Sequence, residues 1–438
     1  MKVRLIIVEG PHAGKEYVFE GYDRFLVGRS KHAHFGLPKE DPFFSRKHFI
    51  VEIAPPRCGV LDLGSRNGTY VNGERIQSSE LKHGDRIKAG HSIIEVCVEF
   101  PDDEEIKTRD EFLPPPPSVR MPSPGVAPPF GVAPPAEPAP PLPQIFAGPA
   151  SEKLVATVAQ YPELPQYRIE SELGRGGMGV VYKAVRESDG APVAIKMIVS
   201  AKAAGEIYRK KFLRETEVLS KLRHPHIVPY LDSGELDGVP FLVMQFIDGT
   251  DIEKVLIAKG PLSIRLGVML TCQALQGLHF AHQNGFVHRD MKPSNIMIEG
   301  VKGKKSVRVA DFGLARAYQA SQLSGLTTQG EFSGTLEFMP PEQVTHFRDV
   351  LPSCDQFSCA ATLYYLLTGQ FPREISRDLS LANKLRKIVT EKARPIQQFR
   401  SEIPDGLAKV IHKSLNLEPE DRFDDLEEFR QGLLPFAV

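Results

Sequence analysis

Eight consecutive residues, His288-Arg289-Asp290-Met291-Lys292-Pro293-Ser294-Asn295, set an acid, an ammonium and an amide within six positions of one another. Moving a phosphoryl group from ATP to a hydroxyl uses such a set. Asp290 would orient the hydroxyl, Lys292 would stand beside the transferred phosphate, and the Asn295 amide oxygen would face Mg²⁺. This chemistry is mostly positioning and electrostatics, so the octapeptide needs partners for the phosphates and the metal from elsewhere in the chain.

Three further segments offer those partners. Gly174-Arg175-Gly176-Gly177-Met178-Gly179 runs into Val180-Val181-Tyr182, a strand rather than a helix, so the glycines read as a hairpin lid. Without a Cβ, their amides can approach phosphate oxygens closely. Val193-Ala194-Ile195-Lys196 is an apolar strand in which a buried ammonium needs an anion. Glu215, in a helical pattern over Tyr208 to Leu222, is the natural candidate. Ala310-Asp311-Phe312-Gly313 lies 21 residues past Asp290 and supplies a carboxylate for Mg²⁺.

Glycine loop, strand lysine, helix glutamate, Asp290 loop and Asp311 triplet occur in the order and spacing of protein kinases. The stretch from about 167 to 435 resembles the bacterial Hanks-type (eukaryotic-like) Ser/Thr protein kinases. The resemblance implies catalytic roles for Asp290, Lys292, Lys196 and Glu215. It implies nucleotide contacts from Gly174, Gly176, Gly177, Gly179, Val181, Ala194 and Lys196, with Met244 as gatekeeper and Gln245 and Ile247 on the adenine hinge. Asn295 and Asp311 become metal ligands, and ATP and Mg²⁺ the cofactors. Lys292 is the family's mark of serine/threonine specificity. Glu342 would pair with Arg422, Asp355 would brace the catalytic loop, and Thr335 would contact Asp290. Phe338, Pro340, Gln245 and Ala360 depart from the commonest family residues, none at a phosphate or metal position. Arg289 adds a cation that a phosphorylated activation loop would neutralise, and Thr327 and Thr328 are the expected autophosphorylation sites.

Residues 1 to 100 alternate short β-rich runs with turns such as Asn67-Gly68, Asn72-Gly73 and His83-Gly84-Asp85, the pattern of a β-sandwich. Arg29 at a strand end, Ser45-Arg46-Lys47-His48, and Gly64-Ser65-Arg66-Asn67 would gather cations, a hydroxyl and an amide in loops suited to a peptide-borne phosphate. Together they resemble a forkhead-associated (FHA) domain, which binds phosphothreonine peptides. By that resemblance Arg29 and Ser45 would bond the phosphate, Arg46 and Arg66 would flank it, Asn67 would hold the peptide backbone, and His48 would brace the loop. His32 and His34 read as a solvated loop rather than metal ligands.

The 438 residues carry net charge −1, with 41% hydrophobic and 25% charged residues, so no global field favours nucleic acid or an anionic membrane. Five scattered cysteines form no disulfide framework, and no apolar run is long enough for a spanning helix or a signal peptide. A cytoplasmic protein without a membrane anchor is expected, its chain ending just after the kinase fold. Between Pro114 and Pro143 nearly half the residues are proline. That segment reads as a flexible spacer, with a polyproline docking site as the alternative. The expected organisation is multidomain. An all-β sandwich (1–100) is joined by a Pro-rich linker (101–163) to an α+β, two-lobed kinase fold (164–438). The function implied is an ATP- and Mg²⁺-dependent kinase acting on Ser/Thr of protein substrates and targeted or regulated by phosphothreonine peptides. The alternative is a phosphopeptide-binding signalling scaffold with a weakly active or inactive kinase domain. Docking of the FHA domain on phosphorylated Thr327 or Thr328, in the same chain or in a second copy by self-association, is a further expectation, with recruitment of a separate substrate as the alternative.

Overall fold

The computed structural model describes residues 1–20, 23–30, 33–36, 41–54, 56–99, 161–176, 179–199, 219, 221–301, 304–312, 336–345, 351–376 and 378–437. Most of the expected linker (101–160) lies outside them, as do Gly177, Glu215, Thr327, Thr328 and Thr335.

Among the described residues, the first hundred build eleven strands. They are β1 (Lys2–Glu9), β2 (Glu16–Glu20), β3 (Asp23–Gly28), β4 (Phe35–Gly36), β5 (Phe49–Ala54), β6 (Arg57–Asp62), β7 (Thr69–Val71), β8 (Glu74–Ile76), β9 (Ser78–Leu81), β10 (Arg86–Ala89) and β11 (Ser92–Glu99). Two sheets result, ordered β2-β1-β11-β10-β7-β8 and β4-β3-β5-β6-β9. Strict alternation in β1 buries Val3, Leu5 and Ile7. These meet Phe25, Val27, Phe49, Val51, Ile53 and Val60 of the second sheet in one core. The β7–β8 hairpin turns on Asn72 (φ 51°) and Gly73 (φ 89°), both left-handed, as a two-residue type I′ turn requires.

The second domain opens with a five-stranded antiparallel sheet ordered β12-β13-β14-β16-β15. Its strands are β12 (Tyr167–Gly176), β13 (Gly179–Arg186), β14 (Pro192–Met197), β15 (Tyr230–Leu236) and β16 (Val239–Gln245). A small sheet follows, β17 (Gly249–Asp251), β18 (Ile296–Val301) and β19 (Lys304–Val309). The helices are α1 (Ile252–Lys259), α2 (Ile264–Gln283), α3 (Pro341–Thr345), α4 (Ser353–Thr368), α5 (Leu381–Thr390), α6 (Asp405–Ser414) and α7 (Leu426–Leu433). Side-chain caps start four of them: Asp251 accepts from Lys254 N (2.9 Å), Ser263 from Leu266 N (3.3 Å), Ser380 from Asn383 N (3.3 Å) and Asp425 from Glu428 N (2.8 Å). Helix α4 is buried on nearly every side and is the spine against which α2 and α6 pack. Among the described residues no helix is long and apolar enough to cross a membrane.

Candidate active site

Between the five-stranded sheet and the helical part lies a cleft of about 380 Å³. The glycine-rich hairpin β12–β13 roofs it, and β13 pairs with β14, bringing Val181 opposite Lys196. Gly179 (φ 153°) ends the hairpin against the next strand. A Cβ there would stand 1.8 Å from the Met197 carbonyl oxygen, so only glycine fits. The lining includes the expected Gly174, Val181, Ala194, Met244, Gln245 and Ile247, with Asp311 at the inner end. Leu173, Val228, Met297 and Ala310 also line it and were not anticipated. Leu173 adjoins Gly174, and Met297 follows Asn295 by two on β18, so proximity to the motifs was the available signal.

Lys196 Nζ lies 2.7 Å from Asp311 Oδ2. The expected partner, Glu215, lies outside the described residues, and here the ammonium is neutralised by a carboxylate 115 residues downstream. Burial alone would raise the Asp311 carboxyl, but Lys196, with His288 and Lys292 behind it, holds it below the usual carboxylate range.

The catalytic-loop side chains converge on Asp290. Lys292 Nζ donates to its Oδ2 (2.9 Å), and Asn295 Nδ2 donates to its backbone oxygen (2.6 Å) and to Oδ2 (3.3 Å). With the amide nitrogen so committed, the planar carboxamide turns its oxygen away from Asp290. Asn295 also accepts, through its carbonyl, from Ala310 N (2.9 Å), tying the loop to the residue before Asp311. His288 Nε2 bonds Ala310 O (2.8 Å), and its ring meets Phe312 edge-on at 4.7 Å.

Asp355 on α4 fixes this loop from beneath. Its Oδ2 accepts from His288 N (2.8 Å), its Oδ1 accepts from Arg289 N (2.8 Å), and His282 Nε2 is 2.7 Å away. Burial would raise the Asp355 carboxyl, but the hydrogen bond and charge of His282, then His288, depress it. Arg289 (φ 67°) and Asp311 (φ 63°) both occupy left-handed backbone, a cost of about 1–3 kcal/mol each that such bonding sustains. Glu342 and Arg422 form a buried bidentate pair at 2.6 and 2.9 Å.

A second cluster of anion-binding types lies at one end of the sandwich. Gly28 ends β3 so close to the next loop that a Cβ would stand 2.2 Å from Arg46 O. Arg29 follows, exposed, its Nε donating to Phe44 O. Ser45 Oγ accepts from Arg66 N (3.0 Å), and Asn67 Nδ2 donates to Phe43 O (2.7 Å), so the three expected segments are brought together. Arg46 and Arg66 are exposed beside them. His48 is fully buried, accepting from Ser45 N (3.0 Å) and reaching Gly68 O (3.3 Å), and burial lowers its pKa.

Two aspartates that the motifs did not reveal fix these loops. Asp62 accepts from Gly64 N, Ser65 N, Ser65 Oγ and Thr69 Oγ1 at 2.6–3.0 Å. Buried Asp41 accepts from Phe43 N (3.1 Å) and His91 N (2.9 Å). His34 Nδ1 accepts from Leu26 N (3.1 Å), and His32 lies outside the described residues.

The family model of the protein kinase domain matches residues 167–431, and that of the FHA domain matches residues 25–90. The chain is similar to the serine/threonine-protein kinase pkn3 of Myxococcus xanthus, 32% identical over 273 residues, covering 61% of this chain and 49% of that one. It is also similar to PknH of Mycobacterium tuberculosis, 33% identical over 258 residues, covering 59% and 40%. The chain thus spans less than half the length of these curated relatives. Among solved structures it is similar to the Mycobacterium tuberculosis PknI kinase domain (27% identity, TM-score 0.50, 63% of this chain and 96% of that chain). Rad53 1–466 in complex with AMP-PNP shares the fold along the whole of both chains (21% identity, TM-score 0.51).

Proposed function

Because this chain belongs to the protein kinase family, we propose that it transfers the γ-phosphoryl group of ATP to serine and threonine hydroxyls of proteins, in a Mg²⁺-dependent reaction. The observation that carries this reading is the convergence of Lys292 and Asn295 on the Asp290 carboxylate, beside a cleft that ends at the Lys196–Asp311 pair. Asp290 accepts the substrate hydroxyl and fixes its direction, while Lys292 places positive charge next to it. Lys196 and Asp311 neutralise each other in the structure, and they would hold the phosphates and the cation of a bound nucleotide in place of one another. The Asp311 carboxylate and the Asn295 amide oxygen are the hard donors that Mg²⁺ prefers, so the residues fit it. Bound there, Mg²⁺ supplies charge neutralisation on the phosphates. The apolar side chains Val181, Ala194 and Met244 suit the flat face of adenine.

The FHA domain reads phosphothreonine through Arg29 and Ser45, flanked by Arg46, Arg66 and Asn67, and so directs or regulates the kinase. Thr327 and Thr328 are the proposed autophosphorylation sites, with Arg289 as the cation that answers them. Their phosphorylated form is also the proposed ligand for self-association through the FHA domain. The Pro-rich segment serves as a spacer, and five buried free thiols fit a reducing cytoplasm. The decisive measurement is transfer of labelled γ-phosphate from ATP to a generic basic protein. Activity is expected from the full chain, and an Asp290→Asn variant with undiminished turnover would sink the assignment. Mass spectrometry that finds a fully active protein unmodified at Thr327 and Thr328 would remove the autophosphorylation part. Self-association left unchanged by Arg29→Ala would remove the docking part.

A further inference from the structure

In a two-layer sandwich one face of each sheet meets the core and the other meets water, so outer positions are expected to be polar. The five-stranded sheet departs from this. Leu26 on β3 pairs with Ile50 on β5, and Ile50 pairs with Leu61 on β6. Alternation puts all three on the face opposite Phe25, Val27, Phe49, Val51 and Val60. They form an apolar row across three strands, yet none is more than 8% exposed.

The kinase domain of the same chain covers them. Leu336, Met339 and Val344 around α3, and Leu385, Ile388 and Val389 on one face of α5, complete a single cluster with the row. The seam is tight: beside Ala382 it leaves a void of about 20 Å³, room for about one water. Two loops of the phosphate-reading end touch its rim. Lys47 Nζ lies 3.0 Å from Glu418 Oε1, and Gly64 packs on Arg386, whose Cδ would be 2.8 Å from an added Cβ.

The covered surface adjoins the chemistry. Gln343 of α3 donates through Nε2 to the Arg289 carbonyl, next to Asp290. Arg373, 1% exposed, donates to Met339 O and to Ile388 O at 2.6 Å each, locking the covered segment to α5. A folded substrate that delivers a hydroxyl to Asp290 must rest its own surface on the ground beside this loop. None of the cleft-lining residues belongs to the covered cluster, so the nucleotide entrance is separate from it.

We infer that the outer sheet face of the FHA domain is a docking surface for the kinase domain of its own chain. When docked it denies folded protein substrates the surface around α3 and α5, while short peptides still reach Asp290. The inference rests on the kinase reading above.

The test uses the full chain and a Leu26→Glu/Ile50→Glu variant, whose changes lie outside the sandwich core. Two substrates are compared: a folded basic protein, and a short synthetic peptide carrying the serine phosphorylated in it. The variant is expected to raise kcat/KM on the protein by about tenfold, the scale of one lost apolar contact in a coupled equilibrium. On the peptide the change should stay within about twofold. Hydrogen exchange at the α5 amides should be faster in the variant. A milder pair gives a second reading. Lys47→Glu is expected to raise the protein rate about twofold, and adding Glu418→Lys to restore it, as a surface ion pair allows. An unchanged protein-to-peptide ratio in both variants overturns the inference, as does α5 exchange equally fast in the parent chain. A fall on both substrates also overturns it, since the contact would then support catalysis. If the parent chain phosphorylates neither substrate, the kinase reading falls, and the inference falls with it.

Discussion

The cleft and the sandwich loops, the two sites proposed for phosphate, both gather charge, but they hold it differently. In the cleft each cation is tied to a carboxylate: Lys196 to Asp311 at 2.7 Å, Lys292 to Asp290 at 2.9 Å. In the loops Arg29, Arg46 and Arg66 are exposed, and among the described residues none is paired with a carboxylate. The aspartates there, Asp41 and Asp62, bond backbone amides and hydroxyls instead. A site that moves a phosphoryl group must keep its charges placed through a cycle in which the anion comes and goes. A site that only reads a phosphate gains most by leaving its cations uncommitted until the ligand arrives.

That contrast can be broken on either side. The largest effect is expected from Asp290→Asn, a fall of about 10²–10⁴-fold in turnover, with phosphothreonine-peptide affinity untouched. Single-turnover transfer and fluorescence binding on one preparation check both halves. Next is Arg422→Ala, which strands the Glu342 carboxylate in the interior and should cost about 3–5 kcal/mol of kinase-domain stability, read by denaturant unfolding. Arg29→Ala should weaken phosphothreonine-peptide binding by about 10–100-fold and leave peptide kinase activity in place, since a charge-assisted bond is at stake. Calorimetric titration is the check, and a loss of kinase activity of similar size would erase the division between the sites.

The smallest expected effect concerns pH. The Asp311 carboxyl is depressed by Lys196, so its contribution to stability is present above the unfolded carboxylate value and is lost as pH falls through the lower folded value. Lys196→Met removes the main depressing charge, leaving burial to raise that pKa. The part of the acid limb of the melting-temperature profile that Asp311 supplies should then disappear or reverse, because a carboxyl raised in the folded state favours folding as pH falls toward its unfolded value. Coincident limbs would mean that the pair does not persist in solution.

Much of this was legible in the sequence because phosphoryl chemistry fixes both residue type and spacing. The Asp290 loop, the glycine hairpin, Asp311 and the Arg29, Ser45 and Arg66 segments were all found that way. What escaped was set by tertiary structure. Lys196 announced the need for an anion but not that Asp311 would supply it. Asp41 and Asp62 satisfy loop amides, a task that leaves no motif. The docking row did leave a trace: Phe25-Leu26-Val27 and Phe49-Ile50-Val51 are unbroken apolar runs where a sandwich strand should alternate. Continuous runs mark strands buried on both faces, and the sandwich supplies only one.

The row Leu26, Ile50 and Leu61 bears on how the protein can be dissected and how it can change. Cut from its partner, the sandwich would carry an oily strip across three strands into water, and α5 would carry its counterpart. Each half would then tend to clump or to engage chaperones. A substitution in the row would be tolerated best when α5 changes with it. The two domains are therefore poor candidates for exchange with other chains, and shared ancestry should show in paired substitutions across that seam.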